Sequence, residues 1–403
     1  MEFQLANGLR VVCAHMPYMR SVAVGVFVGV GSRMETEREN GISHFIEHML
    51  FKGTKRRSAQ EIACEMDAIG GNLNAYTTRE YTCFYAKAVQ EEIERLFDIL
   101  SDMCLSSVFA PRDIELERSV ILEEINMYED SPEDVVLEML SRNAWGENAL
   151  GRSIAGKTQT VSAITGQEIK GFWETYYQGA NTVVSVAGNF DVALVERLAK
   201  QYFGGMGTGH CAQYQPAQFD ATHATREKDI EQTHYAIAYP GVSQNAPERY
   251  SMAVLANAFG GGMSSRLFQK IREEKGLVYS VYAAPDAFRY EGMLMVYAGM
   301  SPEHTEQVQT LIQEEVEDVA NNGLTHEEVI RGISQLKSGY VMGLESVSGR
   351  MQSLGRSILL YGTAKTEEEV LAGIAGVTED EVRLLAKKVF TADFAEALVC
   401  PKK

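Results

Sequence analysis

The stretch with the clearest chemistry is residues 40–53, NGISHFIEHMLFKG, which carries His44, Glu47 and His48 in the order H-x-x-E-H. On a helix these positions are i, i+3 and i+4, so all three side chains leave one face within a single turn. Two neutral imidazoles at i and i+4 can hold one zinc ion. The carboxylate between them lies close enough to take a proton from a water on that metal. The order is the reverse of H-E-x-x-H. Five-residue patterns also arise by chance, and Ile42, Phe45, Ile46, Met49 and Leu50 would bury this helix whatever its histidines did. A third ligand therefore decides the matter: a catalytic zinc needs three protein ligands and an open position, whereas a structural site is closed by four.

The candidates lie in an acid-rich helix covering 112–129. Most of its carboxylates fit a solvated face, but Glu117 and Glu124 are seven apart and share a side with Val120 and Ile121. A carboxylate on the packed side of a helix needs a cation or hydrogen-bond donors. A zinc on His44 and His48 would supply one for Glu124, and Glu117 would orient a ligand. Spacing alone does not separate Glu124 from its neighbour Glu123. In the second half of the chain His234, His304 and His326 are isolated and read as ordinary residues. The stretch 260–282, GGGMSSRLFQKIREEKGLVYSVY, holds Arg272 and Tyr279. From the residues alone, Arg272 reads as paired with nearby acids and Tyr279 as a strand aromatic.

The elements that must position these groups are well marked. Asn7-Gly8 is a hairpin turn signal, SVAVGVFVGVGS reads as a buried strand, and Asn40 is the N-cap candidate for the His44 helix, with Gly53 just past its end. Ser58 and Glu61 form a capping box for the next helix, which Gly70-Gly71 terminate. Residues 72–89 alternate as paired strands do, and Pro111 and Pro132 each open a helix. Thr165 and Glu168 make a second box, reproduced by Thr378 and Glu381, and Leu-Gly-Arg-Ser occurs at 150–153 and again at 354–357. The order strand, helix, hairpin, helix recurs across a glycine-rich, polar stretch at 204–228, which indicates an internal duplication. The expected fold is α+β: two homologous halves, each a mainly antiparallel sheet with helices packed on one face. The halves span 1–210 and 229–403, with a linker at 211–228.

Composition sets limits. With 403 residues, a net charge of −18 and ordinary apolar content, the chain can bury a large core and is a poor ligand for nucleic acid or an anionic membrane. No apolar run is long enough to span a bilayer as a helix, and the first residues lack a basic and apolar leader, so a cytoplasmic location is expected. Six cysteines without a C-x-x-C pair read as reduced, mostly buried thiols.

HFIEHMLFKGT, followed 76 residues after His48 by Glu124 in ERSVILEEINMYED, resembles the pitrilysin/insulinase family of zinc metallopeptidases, the inverzincins. More narrowly, it is similar to the short bacterial members related to mitochondrial processing peptidase. The resemblance covers essentially the whole chain. It implies one Zn2+ per chain on His44, His48 and Glu124, Glu47 as general base and Glu117 as a supporting acid, and it chooses Glu124 over Glu123. It further implies that Arg272 and Tyr279, from the non-zinc half, hold the substrate backbone and the oxyanion. Asn74, Ala75 and Tyr76 match the family's edge strand, which pairs with an extended peptide. The two halves are expected to close like a clam shell on short or unfolded peptides, in a homodimer or in a heterodimer with a homologue. Two other readings compete with an endopeptidase: a non-catalytic processing-peptidase-like partner subunit, and a peptide-binding module that does not cleave.

Overall fold

The computed structural model describes residues 1–402. These form two compact units, neither continuous in sequence: Met1–Ile125 with Ser153–Tyr214 and Met342–Lys365, and Asn126–Arg152 with Gln215–Val341 and Thr366 onward.

The sheet of the first unit contains β1 (Glu2–Gln4), β2 (Arg10–His15), β3 (Ser21–Val28), β4 (Asn72–Thr77), β5 (Thr82–Val89) and β6 (Thr182–Gly188), in the order β1-β2-β6-β3-β5-β4. The pairing is antiparallel except between β2 and β6. β3 shows why the sequence reads as an unbroken apolar run. Val22, Val24, Val26 and Val28 enter a core shared with the helices Ile42–Leu50 and Ile93–Ser106, while Ala23 and Phe27 enter a second core on the opposite face. That opposite face is covered by a single helix, Val347–Tyr361. The approach is close enough to require glycine on both sides. A Cβ on Gly25 would lie 2.3 Å from Met351 Sδ, and one on Gly355 2.1 Å from the Phe27 ring. Ser185 Oγ donates to the Met351 carbonyl at 2.8 Å, which fixes the helix across β6.

The second unit repeats the plan. Its strands are β7 (His223–Lys228), β8 (Thr233–Pro240), β9 (Val278–Ala287), β10 (Gly292–Met300) and β11 (Ala395–Pro401), in the order β7-β11-β8-β10-β9. Position by position this matches β2-β6-β3-β5-β4, including the one parallel pair, β7 with β11. The helices Arg249–Gly260, Thr305–Asn322 and Glu379–Phe390 pack on one face, and Pro132–Trp145 covers the other against Ala236, Ala238, Ala395 and Ala397. The two main helical layers are as the sequence indicates. The added feature is reciprocal: each sheet's second face is covered by a helix drawn from the other half of the sequence.

Both Thr-Glu capping boxes form, each on a helix that leads into the strand paired parallel to its neighbour. The two Leu-Gly-Arg-Ser segments, by contrast, fall in different elements, one in and after a 3-10 turn and one inside the helix Val347–Tyr361, so that match carries no structural equivalence. Six residues of the expected linker, His223–Lys228, form β7. Of the six cysteines Cys13, Cys83 and Cys104 are buried and Cys64 and Cys211 exposed; none is in a disulfide. Among the described residues no helix is long and apolar enough to cross a membrane.

Candidate metal centre

The helix Ile42–Leu50 presents His44 and His48 side by side, with ring centroids 4.6 Å apart. Its N-terminus is not capped by Asn40. The cap position is Gly41, in a left-handed conformation at φ 100°, and buried amides at the start of the helix turn instead to Glu35. The Glu35 carboxylate accepts from the Gly41 and Ser43 N–H groups at 2.8 and 2.9 Å and from Asn40 Nδ2 at 3.1 Å. Asn40 instead acts as a donor, its Nδ2 bonding the Glu35 carboxylate and the Ser153 carbonyl. Nothing in the local pattern points to Glu35; an acid several residues upstream becomes a cap only through the path of the loop. At the other end Thr54, Arg56 and Arg57 bond Asp98 and Asp102, which anchors the segment after the helix to Ile93–Ser106.

The helix Pro111–Asp130 brings in the carboxylates. Ile114 and Ile121 enter the same core as Phe45, and the Arg118 guanidinium lies over the Phe45 ring at 5.3 Å, seating this helix on the histidine helix. Val120 stays 49% exposed, so the buried side passes through Glu117 and Ile121 and not through Val120 as the sequence suggested. Glu123 is exposed and Glu124 half-buried. Glu124 Oε2 lies 3.6 Å from His44 Nε2 and 3.5 Å from His48 Nε2. Both separations are long for hydrogen bonds. They match the edge of a tetrahedron of ligands about 2.1 Å from a common centre, roughly 3.4 Å. His44, His48 and Glu124 are the one set of metal-capable side chains found together among the described residues, with ligand atoms all within 4.8 Å.

The electrostatics suit a cation. Burial, and then His48, push the His44 imidazole down to about 4 despite Glu124, so it is neutral with a lone pair available near neutral pH. Burial also acts to lower His48, but the nearby carboxylates of Glu124, Glu117 and Glu47 outweigh it and leave the group raised. His48 Nδ1–H donates to Glu117 Oε2 at 3.1 Å, and Lys52 Nζ meets Glu117 Oε1 at 2.5 Å. Glu117 is only 5% exposed, so both its oxygens are spent on these partners. A carboxylate on the far nitrogen of a histidine fixes its tautomer, leaving Nε2 as the lone-pair donor. The donor set of two imidazoles and a carboxylate, held at ligand spacing, therefore fits zinc with a position left open.

Glu47, the third member of the sequence pattern, accepts from Thr77 Oγ1 at 2.5 Å. Burial raises its carboxyl above the ordinary value, the Thr77 bond and His48 pull it back, and Glu124 raises it further. Lys52 and Thr77 were missed from sequence. Lys52 follows His48 by four positions, a helical spacing that the end of the helix at Leu50 disguises, while Thr77 carries no local signal.

β4 is an edge strand, as expected for Asn74, Ala75 and Tyr76. The Ala75 N–H is taken by Asn74 Oδ1 at 2.8 Å, and Tyr76 OH donates to Gln352 at 2.6 Å. In the second unit, Tyr279 sits on β9 with 80% exposure. Arg272 makes no ion pair among the described residues; its guanidinium lies 4.7 Å over Phe268 and 5.4 Å over Tyr279, within cation–π range. Pairing with nearby acids, the ordinary account of Arg272, is thus not what the structure shows. Of the other histidines, His234 bonds Tyr297 and His326 bonds Glu379.

Known proteins agree with this picture. Residues 10–158 match the model for "Insulinase (Peptidase family M16)", and 163–336 match the "Peptidase M16 inactive domain". An uncharacterized zinc protease of Bacillus subtilis, YmxG, is 39% identical over 99% of this chain and 98% of its own length. An uncharacterized zinc protease of Streptomyces coelicolor is 38% identical over 99% of this chain and 89% of its own. Among solved structures, a protease from Helicobacter pylori superposes with a TM-score of 0.93 at 22% identity, covering 100% of this chain and 99% of that one. A peptidase M16 inactive domain from Pseudomonas fluorescens gives 0.93 at 18% identity, covering 100% and 98%. Two histidines and a glutamate at metal-ligand spacing, on a fold shared from end to end with relatives named zinc proteases, establish that this chain belongs to the insulinase family, peptidase family M16.

Proposed function

We propose that the protein is a zinc-dependent endopeptidase acting on short or unfolded peptides, with His44, His48 and Glu124 as metal ligands. The observation that carries this reading is the convergence of those three side chains beside a fourth, Glu47, whose carboxylate is half-buried and held by Thr77.

When bound, zinc supplies a Lewis acid that polarises the scissile carbonyl and lowers the pKa of a water from ~15.7 to about 7. The chain's own residues do the rest. Glu47 takes the proton of the attacking water and passes it to the leaving amine; burial, by raising its carboxyl, makes it a stronger base than a solvated glutamate. Glu117 holds His48, and Lys52 holds Glu117. The edge of β4 at Asn74, Ala75 and Tyr76 receives the peptide as an added strand, which gives affinity from backbone pairing with little demand on sequence. Arg272 and Tyr279 are assigned to the substrate backbone and the developing oxyanion, a role supported by the family resemblance and by the exposure of the Tyr279 ring. The intact ligand set and base weigh against a partner subunit without activity.

A quenched fluorogenic peptide tests the proposal. Cleavage is expected, is abolished by a chelator and restored by zinc. Glu47→Gln is expected to lose cleavage while keeping stoichiometric zinc. If Glu47→Gln cleaves at the original rate, Glu47 is not the base, and if the purified protein takes up no zinc the endopeptidase reading fails.

A further inference from the structure

We propose that Thr77 is a positioning residue for the base, tying Glu47 to the strand that receives the peptide. The proposal rests on the endopeptidase reading above and deepens it. Thr77 is the last residue of β4, paired with Thr82 of β5. Its Oγ1 donates to Glu47 Oε2 at 2.5 Å, a charge-assisted bond at the short end of the range. Donation to Oε2 leaves Oε1 as the oxygen that takes the proton.

The donor itself is held firmly. The turn after β4 is closed by Thr78 N–H to the Tyr81 carbonyl at 2.8 Å, and Thr78 Oγ1 accepts from the Tyr81 N–H at 3.0 Å. Glu80, in the same turn, forms a buried ion pair with Arg33 at 2.7 Å, and Thr82 Oγ1 bonds the Val30 carbonyl at 2.9 Å. The strand is therefore anchored at the Thr77 end, while Asn74, three residues back, is exposed. Side chains alternate along a strand, so Ala75 and Thr77 share a face, and the span from Asn74 to Thr77 is about 10 Å. One rigid strand end thus carries both the docking edge and the hydroxyl that aims the base. A peptide in register with β4 is in register with Glu47, and a seating error of one residue would present the wrong carbonyl to the base.

The test compares Thr77→Val, which keeps the shape and loses the donor, with Thr77→Ser, which keeps the donor. Thr77→Val is expected to lower kcat by about 10–100-fold. KM should stay within about twofold of wild type, since the lost bond is to the base and not to the substrate. Zinc content and thermal midpoint stay at their wild-type values, and Thr77→Ser recovers most of kcat. An unchanged kcat in Thr77→Val, a loss confined to KM, or a Thr77→Ser variant as slow as Thr77→Val would each overturn the assignment. Wild-type protein that shows no chelator-sensitive cleavage would instead sink the endopeptidase reading, and this inference with it.

Discussion

Glu117→Gln is the substitution with the most to say about how the metal is held. In the wild-type chain Glu117 spends one oxygen on His48 Nδ1–H and the other on Lys52, in a pocket that leaves its side chain 6% exposed. The substitution acts in one direction through three routes. It removes a negative charge near a divalent cation. It replaces a charged acceptor for the His48 N–H by a neutral one. It also leaves the Lys52 ammonium facing an amide, with its positive charge uncompensated. A charge-assisted hydrogen bond contributes ~1.5–3 kcal/mol, roughly twice a neutral one, so about half of that survives in the amide. The mutation of such an outer partner of a metal ligand costs about 10–100-fold in affinity, or ~1.4–2.7 kcal/mol. Lys52 is itself a third exposed, so solvent screens its share and the effect should sit toward the lower half of that range. Competition with a chromophoric chelator at fixed pH reads the zinc Kd directly. The rise in thermal midpoint on adding zinc reads it a second time, because stabilisation by a bound ligand follows its Kd. A Glu117→Gln variant that binds zinc within twofold of wild type, by both measurements, would refute a role for Glu117 in holding His48.

Two further outcomes are expected. On the role proposed above for Tyr279, Tyr279→Phe, which keeps the ring beneath Arg272 and loses only the hydroxyl, lowers kcat by ~10²–10³ with KM little changed; steady-state kinetics that show equal losses in binding and turnover would remove Tyr279 from the oxyanion. Burial raises the Glu35 carboxyl to about 7 against the Gly41 and Ser43 N–H groups, which pull it down. A raised acid contributes stability that is complete below its unfolded value of 4.5 and is lost as pH rises through its folded value, so the wild-type chain should lose about 3 kcal/mol across that window. Glu35→Gln cannot titrate and lacks this slope, and urea unfolding from pH 4.5 to about 8 that gives parallel curves for the two proteins would rule the linkage out.

What could be read from the sequence, and what could not, divides along chain distance. His44, Glu47 and His48 were legible because one helical turn fixes their common face whatever surrounds it. The capping boxes at Ser58, Thr165 and Thr378 were legible for the same reason, each being complete within four residues. The phase of the second helix was legible only in part. Glu117 and Ile121 are buried as expected, but Val120 is not, because an apolar residue beside a buried stripe need not share it. Glu35 and Thr77 are positioned by loop and strand geometry that no spacing rule reaches, and the helical spacing of Lys52 from His48 is hidden by the end of the helix at Leu50.

The exchanged helices mark the sharper limit. The patterns in Pro132–Trp145 and Val347–Tyr361 say that each helix buries a face; no pattern within a helix says which sheet the face meets. The clue lay in the partners. β3 is apolar on both sides, as a strand covered on both faces must be, so each sheet called for a second layer that its own half of the sequence did not supply. Gly25 and Gly355 complete the argument, since a glycine in a strand and another in a helix make little sense singly and are both required once Phe27 and Met351 interlock between them. The duplication is therefore real at the level of strand order, while the compact units it produces cut across the sequence halves.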